Sequence, residues 1–320
     1  MKPIEPIPLS DIETARARLQ GLAVRTPLVR LNLDDAPAEI YLKLENLQPI
    51  GSFKLRGAAN AMLGAGRGRL GDGVYTASAG NMAQGVAWTA RHLGVPSSVI
   101  VPDQAPATKL EAIERLGGRI VKVPYDRWWR VIMEHEYPGM RGLFVHPVAD
   151  PAVMAGNGTI GLEILEDLPD VDAIVVPFGG GGLSSGIASA VRARRPATKV
   201  WAAEVETATP LAAALAAGAP RTVERTASFV DGIGGKGVLD EMWPLVKRLL
   251  AGSLVVTLRQ IADAIALLVE RNRVVAEGAG GAPVAAALAG KAGRGKVVCV
   301  VSGGNLDTAK LATILRGEIP

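Results

Sequence analysis

"VVPFGGGGLSSGIASAV", residues 175–191, combines a strand, a turn and a helix start in one short stretch. An apolar run ends at Val176 and Pro177, four glycines follow from Gly179 to Gly182, and a segment of small residues with helical character begins. Glycine permits positive φ and close backbone approach, and the free N–H groups of a helix start attract an anion. Four adjacent glycines also lose more chain entropy on folding than a simple turn requires. The stretch therefore reads as a phosphate cradle, with a ligand-free glycine turn as the plainer alternative.

The owner of that phosphate is narrowed by spacing. Glu204 ends the next strand about 20 residues on, as the ribose-binding acid of a dinucleotide site would. The third glycine of G-x-G-x-x-G is nevertheless missing: Gly179 and Gly181 lead to Ser184, and Gly180 and Gly182 lead to Ser185. A Walker loop fails as well, because no G-K-S/T follows. A monophosphate cofactor remains.

Outward from this loop, short β-branched runs alternate with helical segments. Strands are expected at "IYLKLE" from 40, "GVYTA" from 73, "SSVIVP" from 97, "RIVKV" from 119, "GLFVH" from 142, "VDAIVVP" from 171, "KVWAAEV" from 199, "SLVVT" from 253 and "KVVCVVS" from 296. Helices such as "MAQGVAWTARHLG" and "RQIADAIALLVERN" lie between them. This alternation predicts an α/β protein with parallel sheet and crossover helices. No long linker or repeat divides the 320 residues, so a second domain must be an insertion, with "NLQPIGS" and "HPVADP" as crossing points. The chain is 48% hydrophobic with a net charge of +4 from scattered residues, which argues against a nucleic-acid stripe. Cys299 is the single cysteine, so neither a disulfide framework nor a cysteine metal cluster is possible. The N-terminus lacks a signal-peptide core and no apolar run spans a bilayer, which predicts a cytoplasmic protein with no membrane partner.

Three further turns carry chemistry. Lys54, in "ENLQPIGSFKLRGAAN", stands where a helix begins, although a helix N-terminus disfavours cations. A solvated charge is one reading, and an amine used to form a Schiff base is the other. In "TASAGNMAQG", the turn Ser78, Ala79, Gly80, Asn81 precedes a helix and offers N–H groups to a carboxylate, or else simply caps it. In "VVSGGNLDTA", Ser302 ends the last strand, where open α/β sheets bind ligands.

Together "RTPL", "LKLENLQPIGSFKLRGA", "TASAGN", "APATK", "AGNGTIGLEIL", "VVPFGGGGLSSGIA", "EGAGG" and "SGGN" resemble the fold-type II pyridoxal-phosphate enzymes, specifically their threonine/serine dehydratase and serine racemase branch. The likeness runs from about Arg25 to near the C-terminus. It implies a tryptophan synthase β-like fold: two open, twisted, mostly parallel sheets flanked by helices. A smaller domain, residues 49–147, is inserted in a larger one, 1–48 plus 148–320. It also implies pyridoxal 5'-phosphate as cofactor, a homodimer or homotetramer, and loss of the β-hydroxyl of a 3-hydroxy amino acid such as L-threonine or L-serine to give a 2-oxoacid and ammonia.

Each turn then gains an implied role. Lys54 bonds the cofactor and removes the Cα proton, Phe53 packs on its ring, and Asn81 bonds the ring hydroxyl. Gly179, Gly180, Gly181, Gly182 and Leu183 bind the phosphate, and Ser302 faces the ring nitrogen. Ser78, Ala79, Gly80, Asn81 and Met82 hold the substrate. A neutral hydroxyl at the ring nitrogen supports a weaker electron sink than a carboxylate does, which favours prompt β-elimination. Racemases of the branch carry a serine at the place of Ala79, so dehydratase ranks above racemase.

Several positions depart from the family. Met82 replaces a common histidine, and Asn157 a glutamine. Pro210 replaces the aspartate of a cation site that would include Glu204 and the Ala208 carbonyl, so no bound metal is expected and Glu204 reads as a strand end in solvent. His92, His135 and His146 show no metal spacing and read as surface or packing residues. Glu277 either faces the cofactor or only starts a helix. Trp128 and Trp129 stand in a chain with 4% aromatics. They read as a helix packed on the smaller domain, or as a site for a bulkier substrate such as phenylserine, with hydroxyaspartate also open. The chain ends at Pro320, so no C-terminal regulatory domain is expected.

Overall fold

The computed structural model describes residues 3–320. Ten strands and twelve α-helices are formed among them. The strands are β1 Leu28–Arg30, β2 Glu39–Leu44, β3 Val74–Ala77, β4 Ser97–Pro102, β5 Arg119–Val123, β6 Leu143–Phe144, β7 Ala173–Pro177, β8 Lys199–Val205, β9 Gly252–Val256 and β10 Lys296–Val301. The helices are α1 Leu9–Leu19, α2 Lys54–Ala65, α3 Asn81–Leu93, α4 Ala107–Arg115, α5 Tyr125–Glu134, α6 Pro151–Asp167, α7 Gly182–Arg194, α8 Pro210–Ala217, α9 Trp243–Leu249, α10 Leu258–Leu267, α11 Gly278–Leu288 and α12 Thr308–Leu315.

They build two sheets. The larger runs β1-β2-β10-β7-β8-β9 and is parallel except at the antiparallel edge strand β1. The smaller, β5-β4-β3-β6, is parallel throughout. The chain begins in the large sheet, leaves after β2 to build the small one, and returns at β7. Central strands β7 and β10 are buried along almost their whole length, as parallel strands covered on both faces must be. Three-residue β1 lacks a sequence signal of its own. Strand β6 is shorter than expected because the chain turns off this edge strand after Phe144, and His146 binds backbone instead.

Helices α2, α6 and α7 approach one another closely through glycine. A Cβ on Gly156 would strike the Arg56 carbonyl, and one on Gly186 the Met154 carbonyl. A buried ion network fixes α2 in place. Arg56 Nε lies 2.8 Å from Glu45 Oε2, Arg56 Nη1 2.6 Å from Glu163 Oε1, and Lys43 Nζ 2.6 Å from Glu163 Oε2. Burial alone would raise the Glu45 carboxyl, and the Arg56 guanidinium beside it holds it below the ordinary range. No helix among the described residues is long and apolar enough to cross a membrane.

Candidate active site

Open α/β sheets bind ligands where strand order reverses. The large sheet has such a point at β7, flanked by β8 on one side and β10 on the other. The small sheet has one at β3, between β4 and β6. The carboxyl ends of β7, β10 and β3 border one cavity of about 580 Å³, within the roughly 300–1,000 Å³ of ligand pockets.

Lys54 is the first residue of α2 and borders this cavity. Its ammonium donates to the Pro147 carbonyl at 2.8 Å and sits 5.1 Å from the centre of the Phe53 ring. The residue surface is only half-buried because it opens to the cavity, but the amine lies deep within the fold. That desolvation lowers its pKa to about 8, and the Glu277 carboxylate works in the opposite direction. The cation that was misplaced at a helix start is thus a readily deprotonated amine.

The glycine loop leaves β7 and enters α7. Gly181 takes φ +96°, a left-handed conformation that side chains other than glycine seldom adopt. Gly180 and Gly182 press on Val148: an added Cβ would lie 2.6 Å from its Cγ1 or from its carbonyl oxygen, respectively. The first N–H groups of α7 have no intrahelical acceptor and border the cavity. Asn157 supports the loop from behind, its amide donating to the Gly182 carbonyl at 3.3 Å. Leu183 lines the cavity and is buried.

Opposite stands the turn between β3 and α3. Gly80 N donates to Ser78 Oγ at 3.1 Å, and α3 begins at Asn81. Asn81 Nδ2 donates to Glu277 Oε1 at 2.9 Å and Oε2 at 3.1 Å, while Asn305 Nδ2 donates to Asn81 Oδ1 at 2.8 Å. Ser78, Ala79, Gly80 and Asn81 all line the cavity. Met82 also borders it, but its side chain is buried in the small-sheet core, so it offers a ligand backbone rather than a functional group. Ser302 follows β10 and faces the cavity, and its carbonyl accepts from Phe53 N at 2.9 Å. Glu277 lies between these turns. Burial raises its carboxyl to about 7, although its Asn81 bonds pull the other way.

One expectation needs correction. Glu204 is buried rather than solvated: it accepts from Leu211 N and Ala212 N at 2.8 Å each and from Ser253 Oγ at 2.5 Å. Pro210 starts α8, whose N–H groups occupy this carboxylate. The histidines, which show no metal spacing, are partly brought together: one ring nitrogen each of His135 and His146 lies near a carboxylate oxygen of Glu241. His146 is already engaged at both nitrogens, by the Ile132 carbonyl at Nε2 and by Val148 N and Ala149 N at Nδ1. Burial drives its pKa down to about 3, so it is a neutral strut.

Trp128 and Trp129 pack on the small sheet and also line the cavity. Sequence reasoning missed Pro147 and Val148, which press on Lys54 and the glycine loop, and the cavity wall Asp231–Gly237, whose signal was the glycine-rich "DGIGGKG". A buried amine beside two helix N-termini suits an amino-acid substrate and a phosphorylated carbonyl group.

The family model described as "Pyridoxal-phosphate dependent enzyme" matches residues 19–303. The chain is 41% identical to an L-threonine ammonia-lyase of Thermotoga maritima, over 97% of this chain and 78% of the relative. It is 36% identical to the L-threonine dehydratase catabolic TdcB of Escherichia coli K12, over 97% and 96%. The structure is similar to that of maize serine racemase, with TM-score 0.88, 32% identity and 98% of each chain covered. It is also similar to threonine deaminase isoform 2 from Solanum lycopersicum, with TM-score 0.85, 30% identity, and 98% and 95% covered. The chain belongs to the pyridoxal-phosphate-dependent enzymes of fold type II.

Proposed function

We propose that the protein is an ammonia-lyase that removes the β-hydroxyl and amino groups of a 3-hydroxy amino acid, such as L-threonine or L-serine, to give a 2-oxoacid and ammonia. The observation that carries this reading is the Lys54 amine, deep in the fold with a pKa lowered to about 8, at a cavity that also receives the N-termini of α3 and α7. The names of the relatives and structural neighbours support it.

The cavity residues fit pyridoxal phosphate. Gly179 to Gly182 form a concave backbone surface whose N–H groups suit a phosphate, with Leu183 beside them, and Lys54 is the amine for its carbonyl carbon. When bound, the cofactor supplies an electron sink for the bond broken at Cα. Phe53 would border the ring, Asn81 would hold its hydroxyl and Ser302 would face its nitrogen. The Ser78–Asn81 turn holds the substrate carboxylate through α3 N–H groups. Lys54, as the neutral amine, takes the Cα proton, the β-hydroxyl leaves with a proton as water, and a second water hydrolyses the resulting enamine to the 2-oxoacid and ammonia. Ala79 carries no proton donor for an opposite-face return, which sets elimination above racemisation. We place this activity in the cytoplasm, in a homodimer or homotetramer.

The cofactor-loaded protein is expected to release 2-oxobutanoate and ammonia in equal amounts from L-threonine, or pyruvate and ammonia from L-serine. Absence of 2-oxoacid from every 3-hydroxy amino acid offered overturns the reading.

A further inference from the structure

One face of α5 is turned to the cavity. Tyr125, Trp128, Trp129 and Ile132 stand at i, i+3, i+4 and i+7, a single helical stripe, and all four line it. Their rings form a continuous wall: Tyr125 and Trp128 centres are 5.5 Å apart at 41°, and Trp128 and Trp129 centres 6.1 Å apart at 42°. Lys236, from the opposite cavity wall, lies 5.7 Å from the Tyr125 ring centre.

This wall is fixed relative to the reacting amine. The Ile132 carbonyl accepts from His146 Nε2 at 3.0 Å, and His146 Nδ1 accepts from Val148 N and Ala149 N. Between His146 and Val148 stands Pro147, whose carbonyl holds Lys54. The aromatic stripe and the Lys54 amine are therefore two sides of one braced unit. Trp128 meets the cavity with its ring alone, since its indole Nε1–H is buried, without an acceptor among the described residues.

The methyl group of threonine uses little of such a wall. An aryl group on Cβ would pack edge or face against these rings. Resting on the ammonia-lyase reading, we propose that the substrate is a 3-aryl-3-hydroxy amino acid and that Trp128 is its specificity-determining residue. The product is then a 3-aryl-2-oxoacid with ammonia, with the same loss of β-hydroxyl and Cα proton.

The test compares L-threo-3-phenylserine with L-threonine on the cofactor-loaded enzyme. The expected kcat/KM ratio favours phenylserine by at least about tenfold, the order of discrimination apolar pockets reach. In Trp128→Leu that ratio falls by about tenfold, mostly through KM, and Trp128→Phe, which keeps a smaller ring, lies between. Calorimetry with L-phenylalanine and L-alanine, which lack the leaving group, gives a second readout: the wild type binds L-phenylalanine more tightly, and Trp128→Leu loses the preference. Threonine turnover with phenylserine equal or poorer overturns the proposal while leaving the ammonia-lyase reading intact. If no 3-hydroxy amino acid is turned over, that reading fails instead, and calorimetry decides the aryl preference: no preference for L-phenylalanine overturns it.

Discussion

Replacing Glu277 by glutamine should change the pH dependence of stability in the cofactor-free protein, with a sign set by the structure. Glu277 is buried, and its carboxyl is raised from the ordinary 4.5 to about 7 by loss of water. Between those values the folded protein holds a proton that the unfolded chain releases. The stabilisation is therefore complete below about pH 4.5 and is lost as pH rises through about 7. At about 1.4 kcal/mol per pH unit, the span amounts to on the order of 3 kcal/mol. Glutamine keeps an oxygen for the Asn81 amide, which now lies 2.9 Å from Oε1, but it does not titrate. Urea unfolding of both proteins at pH 4.5, 5.5, 6.5 and 7.5, followed by tryptophan fluorescence, gives the difference directly. The variant should gain on the wild type by on the order of 3 kcal/mol across that series. Parallel profiles would refute the claim that this carboxyl is desolvated in the ligand-free cavity.

Three other outcomes are expected. Gly182→Ala, whose Cβ meets the Val148 carbonyl oxygen at 2.6 Å, should lose about 1–3 kcal/mol of stability and its hold on pyridoxal phosphate after dialysis. Gly179→Ala, with its nearest contact at 3.5 Å, should lose far less, and equal losses would discredit the close-approach argument. Arg56→Met removes the cation shared by Glu45 and Glu163 and should cost about 3–5 kcal/mol in chemical denaturation, a loss under about 1 kcal/mol contradicting it. Because only the neutral amine attacks a carbonyl, capture of pyridoxal phosphate by the cofactor-free protein should speed up with pH and level off near the Lys54 value of about 8. A rate still climbing at pH 10 would mean that Lys54 is solvated.

The parts of the fold that came from local pattern were legible. The run from Ala173 to Pro177 and the run from Lys296 to Val301 are apolar because both faces of a central parallel strand are covered. The turns Gly179–Gly182 and Ser78–Asn81 were readable for the same reason, since backbone conformation and helix starts leave local marks. Non-local partnerships left none. Nothing near Glu204 indicates that α8, several residues later, will deliver two N–H groups to its carboxylate. His146 could not be read as a strut between α5 and the Pro147 carbonyl that holds Lys54, because its partners are Ile132 and backbone of its own turn. Arg56 and Glu45 form one buried cluster with the distant Glu163, and single charged residues in a sequence look solvated. The tryptophans show a middle case: the sequence left open both a helix packed on the smaller domain and a wall of the substrate site, and they pack on the small sheet while also lining the cavity.

The central claim is that Lys54 is the residue that bonds the cofactor. Borohydride treatment of the cofactor-loaded protein followed by peptide mass mapping tests it without reference to any substrate. The account predicts one pyridoxyl group per chain, on Lys54, and none in Lys54→Ala. A pyridoxyl group on another lysine, or full labelling of the Lys54→Ala protein, would contradict it.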